Sequence, residues 1–323
     1  MHATKTERAC AARVRRAMAQ EVWAGLSRAQ KEIASKYFYD ERGSALFDRI
    51  TTLPEYYLTR AEHQLLRTHA HDLVAMARPA VLIELGPGSG EKTRILMDAL
   101  VAQCTAPVYV PVDISESYLA QIAEQFTALY PTLRVRPAQC DISRQLRIGT
   151  ALPEPMLAAF LGSTIGNFDP PAALALLRQV ASVLHTGDHF LIGFDLKKDP
   201  AILNAAYNDA AGVTAEFNLN VLRVLNRELD CGFALDAFRH HAFYNEREGR
   251  IEMHLIAERA QDVRIDGIGF IRIAESESIR TEISCKYDRA EIESLLRQAG
   301  FELVRYDTGQ AQEFALVMAR VAV

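Results

Sequence analysis

Between Ala80 and about Leu196 short apolar runs alternate with stretches of helical period, the rhythm of strand, crossover helix and strand. It predicts strands over Val81 to Leu85, Val108 to Val112, Leu133 to Pro137, Met156 to Leu161 and Phe190 to Phe194, with helices near 91–102, 115–129 and 170–184. Such an order builds a doubly wound parallel sheet, whose ligands bind at the C-terminal ends of the strands. After Asp195 the rhythm changes. Residues 200–228 read as helical, and residues 233–285 as extended strands with a polar turn from Glu246 to Arg250 around Gly249. The α/β pattern resumes with a helix over Arg289 to Gln298. Two strands follow, Phe301 to Tyr306 and Glu313 to Ala319, and their connection, Asp307-Thr-Gly-Gln310, is short enough to force antiparallel pairing. The first 60 residues read as mostly helical and are expected to pack with the 200–285 insertion.

Chemistry enters at Val81-Leu-Ile-Glu-Leu-Gly-Pro-Gly-Ser-Gly90, followed by Tyr109-Val-Pro-Val-Asp113. The glycines let the backbone turn sharply from a buried strand into a helix beginning near Glu91. Asp113, at the end of the next strand, can accept hydrogen bonds from both hydroxyls of a ribose. The pair points to an adenosine-containing cofactor. A dinucleotide fingerprint needs G-x-G-x-x-G, and here the third glycine comes one residue early; the G-x-x-x-x-G-K frame of a P-loop is absent. On these residues alone, a glycine-rich turn of some other α/β enzyme stays open.

Composition narrows the partners. With 323 residues and 49% apolar composition the chain can build one large domain or two. A net charge of -5 with acids and bases interspersed gives no broad basic field, so no nucleic acid is expected. There is no long apolar run for a membrane span and no hydrophobic leader, and a cytoplasmic location is expected. Lys5, Arg8, Arg13, Arg15 and Arg16 among alanines read as a solvated amphipathic helix. Cys10, Cys104, Cys140, Cys231 and Cys285 are far apart with no C-x-x-C, and no H-E-x-x-H occurs, so neither a disulfide framework nor a metal site is expected. His240 and His241 fall on an alternating strand, where one must point inward and one outward.

The E-x-G-x-G-x-G form at Glu84 to Gly90 resembles the first motif of class I S-adenosylmethionine-dependent methyltransferases, whose cofactor has no phosphate to cradle. That motif, extended as Glu84-Leu-Gly-Pro-Gly-Ser-Gly-Glu-Lys-Thr93, and four further strings make the resemblance closer: Tyr37-Phe-Tyr-Asp-Glu-Arg-Gly-Ser-Ala-Leu-Phe-Asp48, Pro54-Glu-Tyr-Tyr-Leu-Thr-Arg60, Leu161-Gly-Ser-Thr-Ile-Gly-Asn167 and Ile279-Arg-Thr-Glu-Ile-Ser-Cys-Lys286. Together they resemble the histidine-specific, S-adenosylmethionine-dependent Nα-methyltransferases of ergothioneine biosynthesis, which convert L-histidine to hercynine. The resemblance implies an α/β fold, a class I methyltransferase Rossmann-like sheet, mostly parallel with a terminal antiparallel strand, plus a smaller α+β substrate domain. Residues 61–196 and 287–323 would bind S-adenosylmethionine, residues 1–60 and 197–286 would bind the substrate, and the protein would be a monomer.

It also implies roles residue by residue. Gly86, Gly88 and Gly90 would admit the cofactor, Lys92 would meet its carboxylate, Asp113 its ribose and Asp141 its adenine amino group. Tyr39 and Asn167 would orient the reacting amine, and Tyr207 would hold the substrate carboxylate. Phe47 and Met253 would form an apolar wall, while Tyr56, Glu282 and Ser284 would select the imidazole. Glu282 and Ser284 are two apart, so on a strand they share a face. The rival readings are a methyltransferase for another small amine or amino acid, and a non-catalytic S-adenosylmethionine sensor.

Overall fold

A computed structural model describes residues 5–142, 144–149 and 152–322, with side chains from Ala12 onward. The chain divides into two compact units, one of Tyr57–Lys198 and Cys285–Val323, the other of Met1–Tyr56 and Asp199–Ser284. Tyr57, Lys198 and Lys286 go with the first, the sheet unit, through side-chain bonds to Asp195.

The sheet unit is built on strands in the order Phe301–Thr308, Phe314–Val321, His189–Asp195, Met156–Phe160, Val81–Leu85, Val108–Asp113 and Arg134–Val135. Ala138–Gln139 also pairs with Val108–Asp113. The strands from His189–Asp195 to Arg134–Val135 run parallel, and the two C-terminal strands are antiparallel, as their short connection requires. Val81–Leu85 and Met156–Phe160 are buried along their whole length, the mark of a sheet covered on both faces. Leu82, Tyr109, Phe126 and Leu157 lie in its core. The expected strand over 133–137 is cut short to Arg134–Val135, because Pro137 cannot donate to the ladder, and a second short piece, Ala138–Gln139, lies beyond it.

Helices start where polar caps stand. Ser115 Oγ accepts from Tyr118 N ahead of Glu116–Leu129, and Asp169 accepts from Ala172 N with Pro170 in the first helical position. Asp288 and Glu291 form a capping box for Arg289–Gln298. From Val81–Leu85 the chain winds one way to Val108–Asp113, and later returns to Met156–Phe160 on the other side. The crevice at the C-terminal ends of Val81–Leu85 and Met156–Phe160 is therefore the topological switch point.

The second unit holds a four-stranded sheet in the order Lys31–Glu32, Ser278–Cys285, Arg250–Ala257, Phe238–Asn245 and a separate ribbon of Gln261–Ile265 with Gly269–Ile273. The hairpin turns as expected around Gly249, which has a φ of 63°. Lys31–Glu32 pairs parallel with Ser278–Cys285, an association between residues almost 250 positions apart that no local pattern announces. The helical stretch 200–228 is broken into Pro200–Ala206 and Val213–Leu229. Gly212, at φ 70°, and the Asp209 carboxylate, which accepts from Val213 N and Thr214 N, end one helix and begin the next.

Candidate active site

Gly86 and Gly88 have φ of 62° and 54°, and a Cβ added at either would meet nothing within 4 Å. Their backbone thus borders open space, which suits a cofactor that must approach the main chain closely. Gly90 is different: at φ 77° it opens helix Glu91–Gln103, and a Cβ would stand 3.1 Å from the Phe126 ring. Gly86 N donates to Val112 O at 2.8 Å, tying the loop to the strand that ends in Asp113. Asp113 Oδ1 accepts from Ser115 N at 2.9 Å. Burial raises its carboxyl above the usual value, opposed by the N–H groups of Ser115 and Ile114. Asp141 follows the piece that pairs beside Asp113, its backbone oxygen accepting from Arg144 N and Gln145 N.

Glu84, two residues before the first glycine, is a buried brace. Its Oε2 accepts from Thr93 Oγ1 at 2.7 Å and Tyr109 OH at 2.6 Å. Burial outweighs these donors and pushes its carboxyl up from 4.5 to about 7. In the unfolded chain the group ionises near 4.5 and in the folded chain near 7, so its contribution to stability falls as pH rises through that window and is constant above it. The unfolding midpoint of the wild type is expected to drop relative to that of Glu84→Gln between those pH values. A difference that stays constant with pH refutes this.

At the switch point stands a carboxylate that the sequence reading missed. Glu62, fully buried on helix Tyr57–Ala77, accepts from Gly162 N at 2.8 and 2.9 Å and from Lys92 Nζ at 2.6 Å. Gly193, in the middle of its strand, makes room: a Cβ there would lie 2.3 Å from Glu62 Oε1. Lys92 is thus already paired, and whatever it does for a ligand it does with its remaining donors. Beyond Gly162 the chain turns through Ser163, at φ 55°, into the single 3-10 turn Thr164–Asn167. Asn167 closes that turn, half-buried, just before the Asp169 cap.

Ser163 Oγ accepts from Asp195 N at 2.8 Å, which links this loop to a second buried cluster. The Asp195 carboxylate, fully buried, takes Lys286 Nζ at 2.7 Å, Lys198 Nζ at 2.5 Å and Tyr57 OH at 2.7 Å. Burial lowers the Lys198 ammonium from the usual lysine value, and Asp195 opposes the shift.

In the other unit the structure brings together most of the proposed acceptor residues. Tyr39 and Phe47 are 5.7 Å apart by ring centroid, Phe47 and Tyr56 6.3 Å, Tyr56 and Tyr207 6.3 Å. Tyr207 OH donates to Ser284 Oγ at 2.9 Å. Phe217, absent from the expected set, touches both Tyr39 and Phe47, at 5.6 and 5.9 Å. The Tyr39 phenol is pushed up from its usual value by withdrawal from water, then by Glu282 and Tyr207. Tyr39 as a whole is nonetheless 46% exposed. Met253 is buried within its strand, paired with Ala242. Asn167 belongs to the sheet unit, with the glycine loop and Lys92.

The histidine pair behaves as alternation requires. His241 is exposed, whereas His240 is half-buried and hydrogen-bonded to Asn218 and to the Tyr207 carbonyl. Among the described residues there is no cluster that could hold a metal ion, and no helix is long and apolar enough to cross a membrane.

The sheet order, its terminal antiparallel pair and a glycine loop without a phosphate cradle define a class I S-adenosylmethionine-dependent methyltransferase. A solved methyltransferase of this kind from Clostridium acetobutylicum superposes with a TM-score of 0.50 at 14% identity, over 86% of this chain and 98% of that one, a likeness of fold. Within the class, the chain belongs to the family described as histidine-specific, SAM-dependent methyltransferases, whose model matches residues 18–321. It is 42% identical to the histidine N-alpha-methyltransferase of Mycolicibacterium smegmatis over 94% of both chains. It is 33% identical to ergothioneine biosynthesis protein 1 of Neurospora crassa, over 85% of this chain and 31% of that protein.

Proposed function

We propose that this chain is an S-adenosylmethionine-dependent L-histidine Nα-methyltransferase that makes hercynine for ergothioneine biosynthesis. One observation carries the substrate reading within the family: Tyr56, Tyr207 and Ser284 share a cluster with Tyr39 and Phe47, close to the charge of Glu282. An aromatic wall around an acid and a hydroxyl suits a ring that is flat and apolar on its faces and polar at its edge, as imidazole is.

The sheet unit is assigned to the cofactor and the other unit to the substrate. The open backbone at Gly86 and Gly88 fits a cofactor lacking phosphate, with Gly90 shaping the turn, Asp113 on the ribose, Asp141 near the adenine and Lys92, steadied by Glu62, on the carboxylate. Three S-adenosylmethionine molecules, bound in turn, would each supply one sulfonium methyl to the α-amine of histidine and leave as S-adenosylhomocysteine. Tyr39 and Asn167 orient that amine, and Tyr207, whose one hydroxyl hydrogen goes to Ser284 in this structure, turns it to the substrate carboxylate when histidine binds. Glu282 and Ser284, with Tyr56, pair with the imidazole, while Phe47 and Met253 exclude water.

Only a neutral amine carries the lone pair, and an α-amine is mostly protonated at neutral pH. Tyr39, whose phenol is raised, stays a hydroxyl at that pH and positions the nitrogen rather than removing its proton. The proton leaves through water or a neighbouring hydroxyl. Each methylation removes one N–H, so the aromatic edges of Tyr39 and Phe47 serve the later rounds better than more donors would. The quaternary product has no lone pair, and methylation stops. We place the protein in the cytoplasm as a monomer; the free thiols of Cys104, Cys140, Cys231 and Cys285 suit a reducing compartment.

The decisive experiment incubates the protein with S-adenosylmethionine and all twenty amino acids, and follows masses. Histidine is expected to gain one, two and then three methyl groups. Methylation of another amino acid with histidine untouched overturns the substrate, and no methylation at all favours a sensor.

A further inference from the structure

His240 has no part in the roles above, yet its ring is held on both sides. Nε2 lies 2.9 Å from the Tyr207 carbonyl oxygen and Nδ1 lies 2.8 Å from Asn218 Nδ2. A carbonyl only accepts, so Nε2 must carry the hydrogen. The orientation of Asn218 is fixed in the same way: its Nδ2 also lies 3.0 Å from the His254 carbonyl oxygen, so the atom there is the NH2 group, while Oδ1 accepts from Thr281 Oγ1 at 2.6 Å. The amide therefore donates to His240 Nδ1, which must offer a lone pair. The carbonyl requires a hydrogen on Nε2 in either charge state, and Asn218 requires a lone pair on Nδ1, so together they specify the neutral imidazole protonated on Nε2. A second proton, on Nδ1, would face an N–H and break the chain.

What this network holds is Tyr207. The residue ends helix Pro200–Ala206 and begins the turn that Asp209 closes onto helix Val213–Leu229. Its hydroxyl is set by Ser284 and its carbonyl by His240. We propose that His240 is a positioning residue for histidine binding: its ring, held at Nδ1 by Asn218, aims Nε2–H at the Tyr207 carbonyl, and a proton on Nδ1 breaks the Asn218 bond and frees the ring to turn. The proposal rests on the reading of Tyr207 as the substrate's carboxylate partner. The charged and titratable groups facing His240 are Asp209 from the turn, which favours the cation, and His241 on its own strand, which opposes it. Helix Val213–Leu229 presents the neutral Asn218 and strand Arg250–Ala257 the His254 backbone. Burial is the largest influence and favours the neutral ring, opposed next by the Tyr207 carbonyl, which favours the cation.

Two variants and one spectrum test this. His240→Leu, which offers neither bond, is expected to raise KM for L-histidine about tenfold, a typical consequence of one lost buried bond, with kcat and KM for S-adenosylmethionine within about threefold of wild type. His240→Gln, which can donate and accept in the same directions, is expected to restore KM at pH 8. Below pH 6.5 the wild-type KM should rise above that of His240→Gln; the substrate's own imidazole titrates identically in both and drops out of the comparison. Parallel pH profiles for these two proteins, or an unchanged KM in His240→Leu, overturn the proposal. If His240→Leu does not fold, the His240→Gln profile decides. Nitrogen-15 shifts of the His240 ring need no substrate: a ring protonated on Nδ1 at pH 8 overturns the network itself. A network intact in that spectrum beside a protein that leaves histidine unmethylated would instead count against the functional reading, and with it the role of His240.

Discussion

Asp195→Ala is expected to cost about 3–5 kcal/mol of folding stability, the usual consequence of removing one partner of a buried ion pair. The reason is what stays behind. The Lys286 side chain is 0% exposed and that of Lys198 9%, and both ammonium groups rest on the Asp195 carboxylate. Without it two cations remain in a site with little water, and Tyr57 loses its acceptor. Against a typical total of 5–15 kcal/mol, such a loss would leave much of the chain unfolded at physiological temperature. Urea unfolding should show a midpoint far below wild type, and adding Lys286→Met to Asp195→Ala should recover part of it, since an apolar side chain carries no charge to strand. A midpoint within experimental error of wild type, or no recovery in the double variant, would show that the cluster is not held by charge.

That cluster also marks where the sequence stopped being legible. The parallel sheet could be read because strands buried on both faces are apolar throughout, as Val81–Leu85 and Met156–Phe160 are. The glycine loop could be read because positive φ and an open approach demand glycine. Asp195 merely ended an apolar run, and Lys286 sat in a string noticed for its resemblance rather than its charge. A buried ion pair looks in sequence like two ordinary surface charges until the fold unites residues about 90 positions apart.

Glu62 did carry a signal. Leu58, Glu62, Leu65 and Leu66 recur at helical spacing, so the acid falls on the buried stripe of Tyr57–Ala77, where an unpartnered charge would be forbidden. Its partner, the Gly162 amide, lies 100 residues away. The break within 200–228 was equally present in Asp209 and Gly212 and was overridden by the apolar period on either side.

The second large effect concerns which amino acid is methylated. Glu282→Leu combined with Ser284→Ala is expected to lower kcat/KM for L-histidine by roughly a hundredfold or more, since each imidazole bond left unmade costs about 1–3 kcal/mol. Phenylalanine, whose ring has no polar edge, should fall by much less, so the ratio of the two should collapse. Ser284 bears twice on this result, because its hydroxyl also accepts from Tyr207 at 2.9 Å. Single variants separate the two roles: Glu282→Gln keeps a hydrogen-bonding group without the charge, and Ser284→Ala alone, which frees the Tyr207 hydroxyl hydrogen, should change binding of every amino acid that uses Tyr207, whatever its side chain. The aromatic wall cannot supply the same selectivity. Phe47, Tyr56 and Phe217 offer faces and edges that would accept an imidazole, a phenyl or an indole with small differences, whereas an acid and a hydroxyl left without partners penalise every ring but one that can pair with both. Measured ratios of kcat/KM for histidine and phenylalanine that stay at their wild-type value in the double variant would place selectivity in the wall and remove Glu282 and Ser284 from the substrate.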